Sequence, residues 1–144
     1  MDDKPEVALQ VAQRFIEALS RRDGDALTAV LKDDVVLESP YPMVDGDNVP
    51  GSRRCQGPSV HAHMRNMPNV LGSLRFENVV WRTTDDGLAV FEADGRATLP
   101  NGRPYDNHYL MMFEVADGKI ARWHEYFNPV TAARVNEMPL DLLP

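Results

Sequence analysis

Cysteine is nearly absent, since the 144 residues hold only Cys55. One thiol forms no internal disulfide, which fits a reducing compartment and predicts a cytoplasmic protein. Positive charge is also scarce. Fifteen Lys and Arg stand against 22 Asp and Glu, a net charge of −7. A surface of that sign repels phosphate backbones, so no nucleic-acid partner is expected. No apolar run nears the roughly 20 residues that cross a bilayer, and Met1-Asp2-Asp3-Lys4-Pro5 lacks the apolar stretch of a secretion signal. No membrane partner is expected either. Chemical signatures are missing too. Without Gly-x-Ser-x-Gly there is no mark of a serine-triad hydrolase, and without a Gly-rich fingerprint after a strand no nucleotide cofactor is indicated. HExxH, CxxC and acidic clusters of metal spacing are all absent. The expectation is no metal and no cofactor.

What is present suits a folded domain. Hydrophobic residues make up 43% and charged residues 26%, and the length matches one domain over residues 1–144. Val7, Val11, Phe15 and Leu19 recur every fourth position, predicting a helix from Pro5 to Arg22 that Asp2 or Asp3 caps. Asp25 to Lys32 reads as a second short helix and Val35 to Ser39 as a short strand. Pro40 to Gly57, rich in Pro, Gly, Asp and Asn, reads as a long loop. Pro58 to Leu71 is helical in pattern, bent or ended by Pro68. Strands follow over Leu74–Thr84, Leu88–Leu99, Tyr105–Val115 and Ile120–Phe127, with a tight Asp117-Gly118 hairpin and a short helix or arm after Val130. Helices first and strands after give an α+β layout: a curved antiparallel sheet wrapped around the N-terminal helices, a conical barrel with an internal pocket.

Hairpin arithmetic assigns the faces of the last two strands. If Asp117-Gly118 is a two-residue loop, Glu125 opposes Leu110, Trp123 opposes Met112, and Phe127 opposes His108. Glu125 is then the odd acid on an apolar face. Burial there raises a carboxyl's pKa toward neutrality, which general acid–base work needs. His108, diagonal to it, would orient it, and Leu110, Met112 and Trp123 would line the site. His61 and His63 lie about 200° apart on a helix, so they do not chelate one ion together. One of them faces the cavity. Tyr105, at a strand entrance, would present its hydroxyl to a ligand. Tyr41, Arg53 and Arg54 sit in the long loop, where they would close over an anionic substrate. Met43, Met64, Met67, Met111 and Met112 suit an adaptable apolar pocket or an ordinary core. Tyr109, Met111, Phe113 and Tyr126 fall on the opposite, outer face. They are too apolar to leave in water, which predicts a homodimer.

The run Val11-Ala12-Gln13-Arg14-Phe15-Ile16-Glu17-Ala18-Leu19, then Arg22-Asp23-Gly24-Asp25-Ala26-Leu27 and Leu31-Lys32-Asp33-Asp34-Val35, resembles the opening of SnoaL-like proteins. These belong to the nuclear transport factor two-like superfamily, which includes ketosteroid isomerase. Tyr105-Asp106-Asn107-His108-Tyr109 and Glu125-Tyr126-Phe127-Asn128-Pro129 are similar to the phenazine biosynthesis A/B branch. The resemblance implies an α+β cone, a homodimer, an active site inside the cone and no metal. It also implies an acid/base glutamate at Glu125, a site tyrosine at Tyr105, and a helix histidine near His63 or Met64. The ketosteroid isomerase groups are missing. Ser39 stands where its base would be, Phe15 replaces its tyrosine, and Tyr109 or Leu110 falls at its protonated aspartate. The expected function is therefore acid/base chemistry on a hydrophobic, carbonyl-bearing small molecule, of cyclase, isomerase, dehydratase or condensation type. Glu125, His108 and Tyr105 would be catalytic, with His63, Tyr41, Trp123, Leu110, Met112 and Phe15 binding substrate. The alternative is a non-catalytic ligand-binding or dimerising scaffold of the same fold.

Overall fold

A computed structural model describes residues 4–41 and 53–137. The proposed caps Asp2 and Asp3 and the pocket candidate Met43 lie outside these residues. Helix α1 (Lys4–Ser20) turns Val11, Phe15 and Leu19 into the core, as the fourfold spacing predicts. Asp23 then caps α2 (Gly24–Ala29), its side chain accepting the Ala26 N–H at 3.1 Å. Strand β1 (Leu31–Ser39) starts earlier than expected. Leu31 pairs with Ile120 before Asp33 and Asp34 are reached, so those residues interrupt a strand and not a helix.

Part of the expected loop is also strand. Residues of β2 (Arg53–Gln56) pair antiparallel with β1, Leu37 opposite Cys55. Helix α3 (Pro58–Arg65) and the single turn α4 (Met67–Val70) are separated at Asn66, with Pro68 opening the second piece. The long strands β3 (Ser73–Thr83), β4 (Leu88–Thr98), β5 (Pro104–Ala116) and β6 (Lys119–Tyr126) follow, then α5 (Pro129–Val135).

The six strands form one curved, unclosed sheet in the order β2-β1-β6-β5-β4-β3. Consecutive strands β3 to β6 are antiparallel. The β1–β6 pair is parallel, because most of the chain separates the two strands. Helix α1 packs across the inner face, and one continuous core joins Phe15, Leu27, Leu37, Phe91, Phe113 and Trp123. Among the described residues no helix is long and apolar enough to cross a membrane.

One irregularity in β6 decides which side chains face inward. Asp117 and Gly118 both take positive φ (55° and 73°), the hairpin turn their identities predict. Ala116 pairs with Lys119 and Val115 with Ile120, but the next pair is Glu114 with Arg122. Ala121 is thus the extra residue of a β-bulge, and every later pair is displaced by one. Glu125 opposes Met111, Trp123 opposes Phe113, and Tyr126 opposes Leu110. The faces expected from an unbroken hairpin are exchanged on β5. Tyr109, Met111 and Phe113 point inward, while His108, Leu110 and Met112 point outward. An apolar outer stripe of Tyr109, Met111 and Phe113 therefore does not exist, and no dimer follows from it.

Candidate functional site

The cavity lies between α1, α3, the inner face of the sheet and α5, with a volume of about 130 Å³. Behind its lining, β4 turns the small residues Ala93, Gly95 and Ala97 inward. These small residues leave room for the larger side chains of β5. A methyl carbon added at Gly95 would sit 2.5 Å from the Tyr109 ring, so glycine is what lets that ring lie flat against β4.

The floor is aromatic. Phe15 and Trp123 are each 1% exposed, with ring centroids 5.1 Å apart, and Phe113 packs 5.5 Å from Phe15. Toward the C-terminal side, Phe127 and Phe76 lie 6.4 Å and 6.1 Å from Tyr109. Tyr41 meets Phe127 edge-on at 5.4 Å, behind the lining and not in it.

Into this apolar hollow project one carboxyl, one imidazole and two phenols. Glu125 is half-buried at the end of β6 and lines the cavity, as does His63 from α3. His61, two residues earlier, turns away and meets the Lys32 carbonyl at 3.0 Å. Burial pushes the Tyr105 phenol up from its ordinary value. Burial pushes the Tyr109 phenol well up, with Tyr105 beside it and the charge of Glu125 adding to the effect. Both phenols are neutral hydroxyls at physiological pH. The Tyr105 and Tyr109 hydroxyls are hydrogen-bonded to each other.

Asn107 fixes this arrangement from behind. It is 6% exposed. Its Nδ2 donates to Tyr105 Oη at 2.9 Å and to the Asn128 carbonyl at 3.1 Å. Its Oδ1 accepts the backbone N–H groups of His108 and Asn128, both at 2.8 Å. Asn128 in turn caps α5 by accepting the Val130 and Thr131 N–H groups. The Asn-His and Asn-Pro segments, distant in sequence, are thereby bonded to each other.

The structure thus gathers Glu125, Tyr105, His63, Trp123 and Phe15 in one cavity. His108 is elsewhere. It stands on the outer face, its Nδ1 2.7 Å from Asp94 and its Nε2 2.8 Å from Glu92, and the Asp94 and Glu92 hydrogen bonds raise its pKa. Leu110 and Met112 share that outer face. The reason is the Ala121 bulge, which breaks the alternation on which their placement depended. Arg54 also departs from expectation, for it belongs to β2 and pairs with Glu38 at 3.7 Å on the sheet.

Tyr109 and Asn107 are site residues that the sequence reading did not single out. A signal existed. Ile120 and Trp123 are large, apolar and three apart, which strict alternation forbids on one buried face and a bulge permits. Among the described residues, no three His, Cys, Asp or Glu side chains gather closely enough to hold a metal ion.

Residues 12–123 match the SnoaL-like domain family. The chain belongs to that family. Epoxide hydrolase EphG of Mycobacterium tuberculosis is 31% identical over 116 residues, spanning 81% of this SnoaL-like chain and 70% of that protein. A Bacillus subtilis structure provisionally described as an isomerase superposes with a TM-score of 0.79 at 20% identity, covering 92% of this chain and 94% of the other. A phenazine biosynthesis-related protein of Pseudomonas aeruginosa gives 0.71 at 19% identity, over 96% of this chain and 90% of the other. At these identities the two structures establish a shared fold, that of the nuclear transport factor two-like proteins.

Proposed function

We propose that this SnoaL-like protein is an enzyme that performs general acid–base chemistry on a small apolar molecule bearing an acceptor oxygen. The observation that carries the reading is Glu125, a carboxyl set in an apolar cavity together with two neutral phenols. With a ketone bound, Glu125 takes the proton from the carbon next to the carbonyl. The C–H electron pair forms a C=C bond, and the carbonyl π electrons move to oxygen. Tyr105 steadies that developing negative charge by hydrogen bonding. Returning the proton at another carbon completes an isomerisation, and expelling a leaving group from the next carbon a dehydration. Attack of the enolate carbon on a second carbonyl carbon of the same molecule, whose oxygen then takes the proton from Glu125, completes a cyclisation.

The experiment is deuterium incorporation into the methyl group of acetophenone in D₂O, followed by NMR. Glu125→Gln keeps the shape and removes the base, so exchange should fall by about a hundredfold or more. Equal exchange by wild type and variant overturns the proposal. If acetophenone still binds in that case, the domain is a ligand-binding scaffold.

The likeness to EphG favours a second reaction at the same groups. Glu125 would take a proton from water, the water oxygen would attack an epoxide carbon, and Tyr105 would protonate the ring oxygen as the C–O bond breaks. Glu125 then returns its proton to the phenolate. The family resemblance further supports a homodimer. The lone Cys55 supports a cytoplasmic setting, which cell fractionation tests.

A further inference from the structure

We infer that Asn107 is a positioning residue that makes Tyr105 a hydrogen-bond donor toward the cavity, so that the site selects molecules presenting an acceptor oxygen at that point. The inference rests on the reading above and names the polarity of what that site recognises.

The Asn107 amide has no freedom to turn over. Its Oδ1 faces the backbone N–H groups of His108 and Asn128, both at 2.8 Å. Backbone N–H groups only donate, so the atom facing them must accept. Rotating the amide would set N–H against N–H twice. The other end is therefore Nδ2, and it donates to Tyr105 Oη at 2.9 Å and to the Asn128 carbonyl at 3.1 Å. All four hydrogen-bonding positions of this buried amide are filled.

A phenol oxygen accepts through its lone pairs and donates one proton. At Tyr105 the Asn107 amide donates to the oxygen at 2.9 Å and occupies an acceptor position there. Asn107 presents only a donor on that side, so the Tyr105 O–H is turned away from it. It points to the cavity side, where Glu125 and the apolar wall lie. A carbonyl, ether, epoxide or carboxylate oxygen satisfies that donor. A ligand hydroxyl or amine placed there as a donor meets another hydrogen. Positioning falls to Asn107 because it bonds both the phenol and the chain at Asn128. The hydroxyl is thereby tied to the junction of β6 and α5.

Asn107→Asp is the discriminating variant. The new carboxylate still accepts from His108 and Asn128, but an acceptor replaces Nδ2. The Tyr105 proton then turns to that carboxylate and leaves the cavity. The readout is the infrared carbonyl stretch of bound acetophenone. In wild type the stretch should move to lower wavenumber than in an apolar solvent. The shift should vanish in Tyr105→Phe and in Asn107→Asp, with affinity roughly three- to tenfold weaker in both. Circular dichroism establishes that each variant is folded. Should Asn107→Asp not fold, Asn107→Ala frees the phenol to rotate and should broaden and reduce the shift, while Tyr105→Phe must still abolish it.

A folded Asn107→Asp protein with an undiminished shift overturns the inference. So does a shift retained in Tyr105→Phe, or a wild type that does not bind acetophenone or binds it with no shift. Glu125→Gln should keep the shift, which separates the two proposals. Loss of the exchange reading leaves the carbonyl signal standing, and an unmoved signal in Asn107→Asp leaves the exchange result standing.

Discussion

Tyr109 shows how much a single inward-facing side chain is asked to do. Its ring fills the space that Gly95 leaves, and its hydroxyl keeps its proton under burial, the neighbouring Tyr105 and the charge of Glu125. That has a consequence for stability in alkali. In the unfolded chain a tyrosine ionises near pH 10, whereas folding raises both Tyr105 and Tyr109. The folded protein keeps protons that the unfolded chain gives up. Stability from this source is complete below about pH 10 and is lost as pH rises through the folded values. Urea midpoints measured from pH 8 upward should therefore fall for the wild type, and Tyr109→Phe should fall less steeply. Parallel slopes would show that ionisation of this phenol does not oppose folding.

Elements tell a different story from residues. Helix α1 and the Asp117-Gly118 turn were legible because each follows from a local rule: fourfold apolar spacing in one case, left-handed backbone at Asp-Gly in the other. Glu125, Tyr105, His63, Trp123 and Phe15 line one cavity. The facing of β5 was not legible, because the Ala121 bulge leaves only the spacing of Ile120 and Trp123 as a trace. Asn107 was hidden for another reason. Its partners, Tyr105, His108 and Asn128, come together only through the β5–β6 pairing. Strand β4 carries its own expectation. Gly95→Ala would set a methyl 2.5 Å from the Tyr109 ring, so the ring must shift. The fold should lose about 1–3 kcal/mol by overpacking, read as a lower thermal or urea midpoint, and acetophenone should bind more weakly. An unchanged midpoint would mean that the ring has another place to go.

At the scale of the whole molecule, chemistry and charge are kept on opposite sides of one sheet. The inner face holds the aromatic floor and the phenols, whereas the outer face carries a lattice of Glu92, Asp94, His108, Arg122, Glu38 and His124. Leu110 and Met112 lie half-buried among those charges. If two copies associate, as the family resemblance leads one to expect, sedimentation at micromolar concentration should give twice the mass of a 16.2 kDa chain. A single-chain mass would overturn the homodimer and leave the cavity intact, since every group in it comes from one copy.

The row of Ala93, Gly95 and Ala97 on β4 has a further implication. The Tyr109 ring rests where a side chain at Gly95 would otherwise stand, so this row seats a cavity phenol without lining the cavity itself. The phenol and its backing are consequently written on separate, paired strands. A larger side chain at Gly95 would reach the cavity only by displacing the phenol it backs, which makes the seat of one hydroxyl the property of a neighbouring strand.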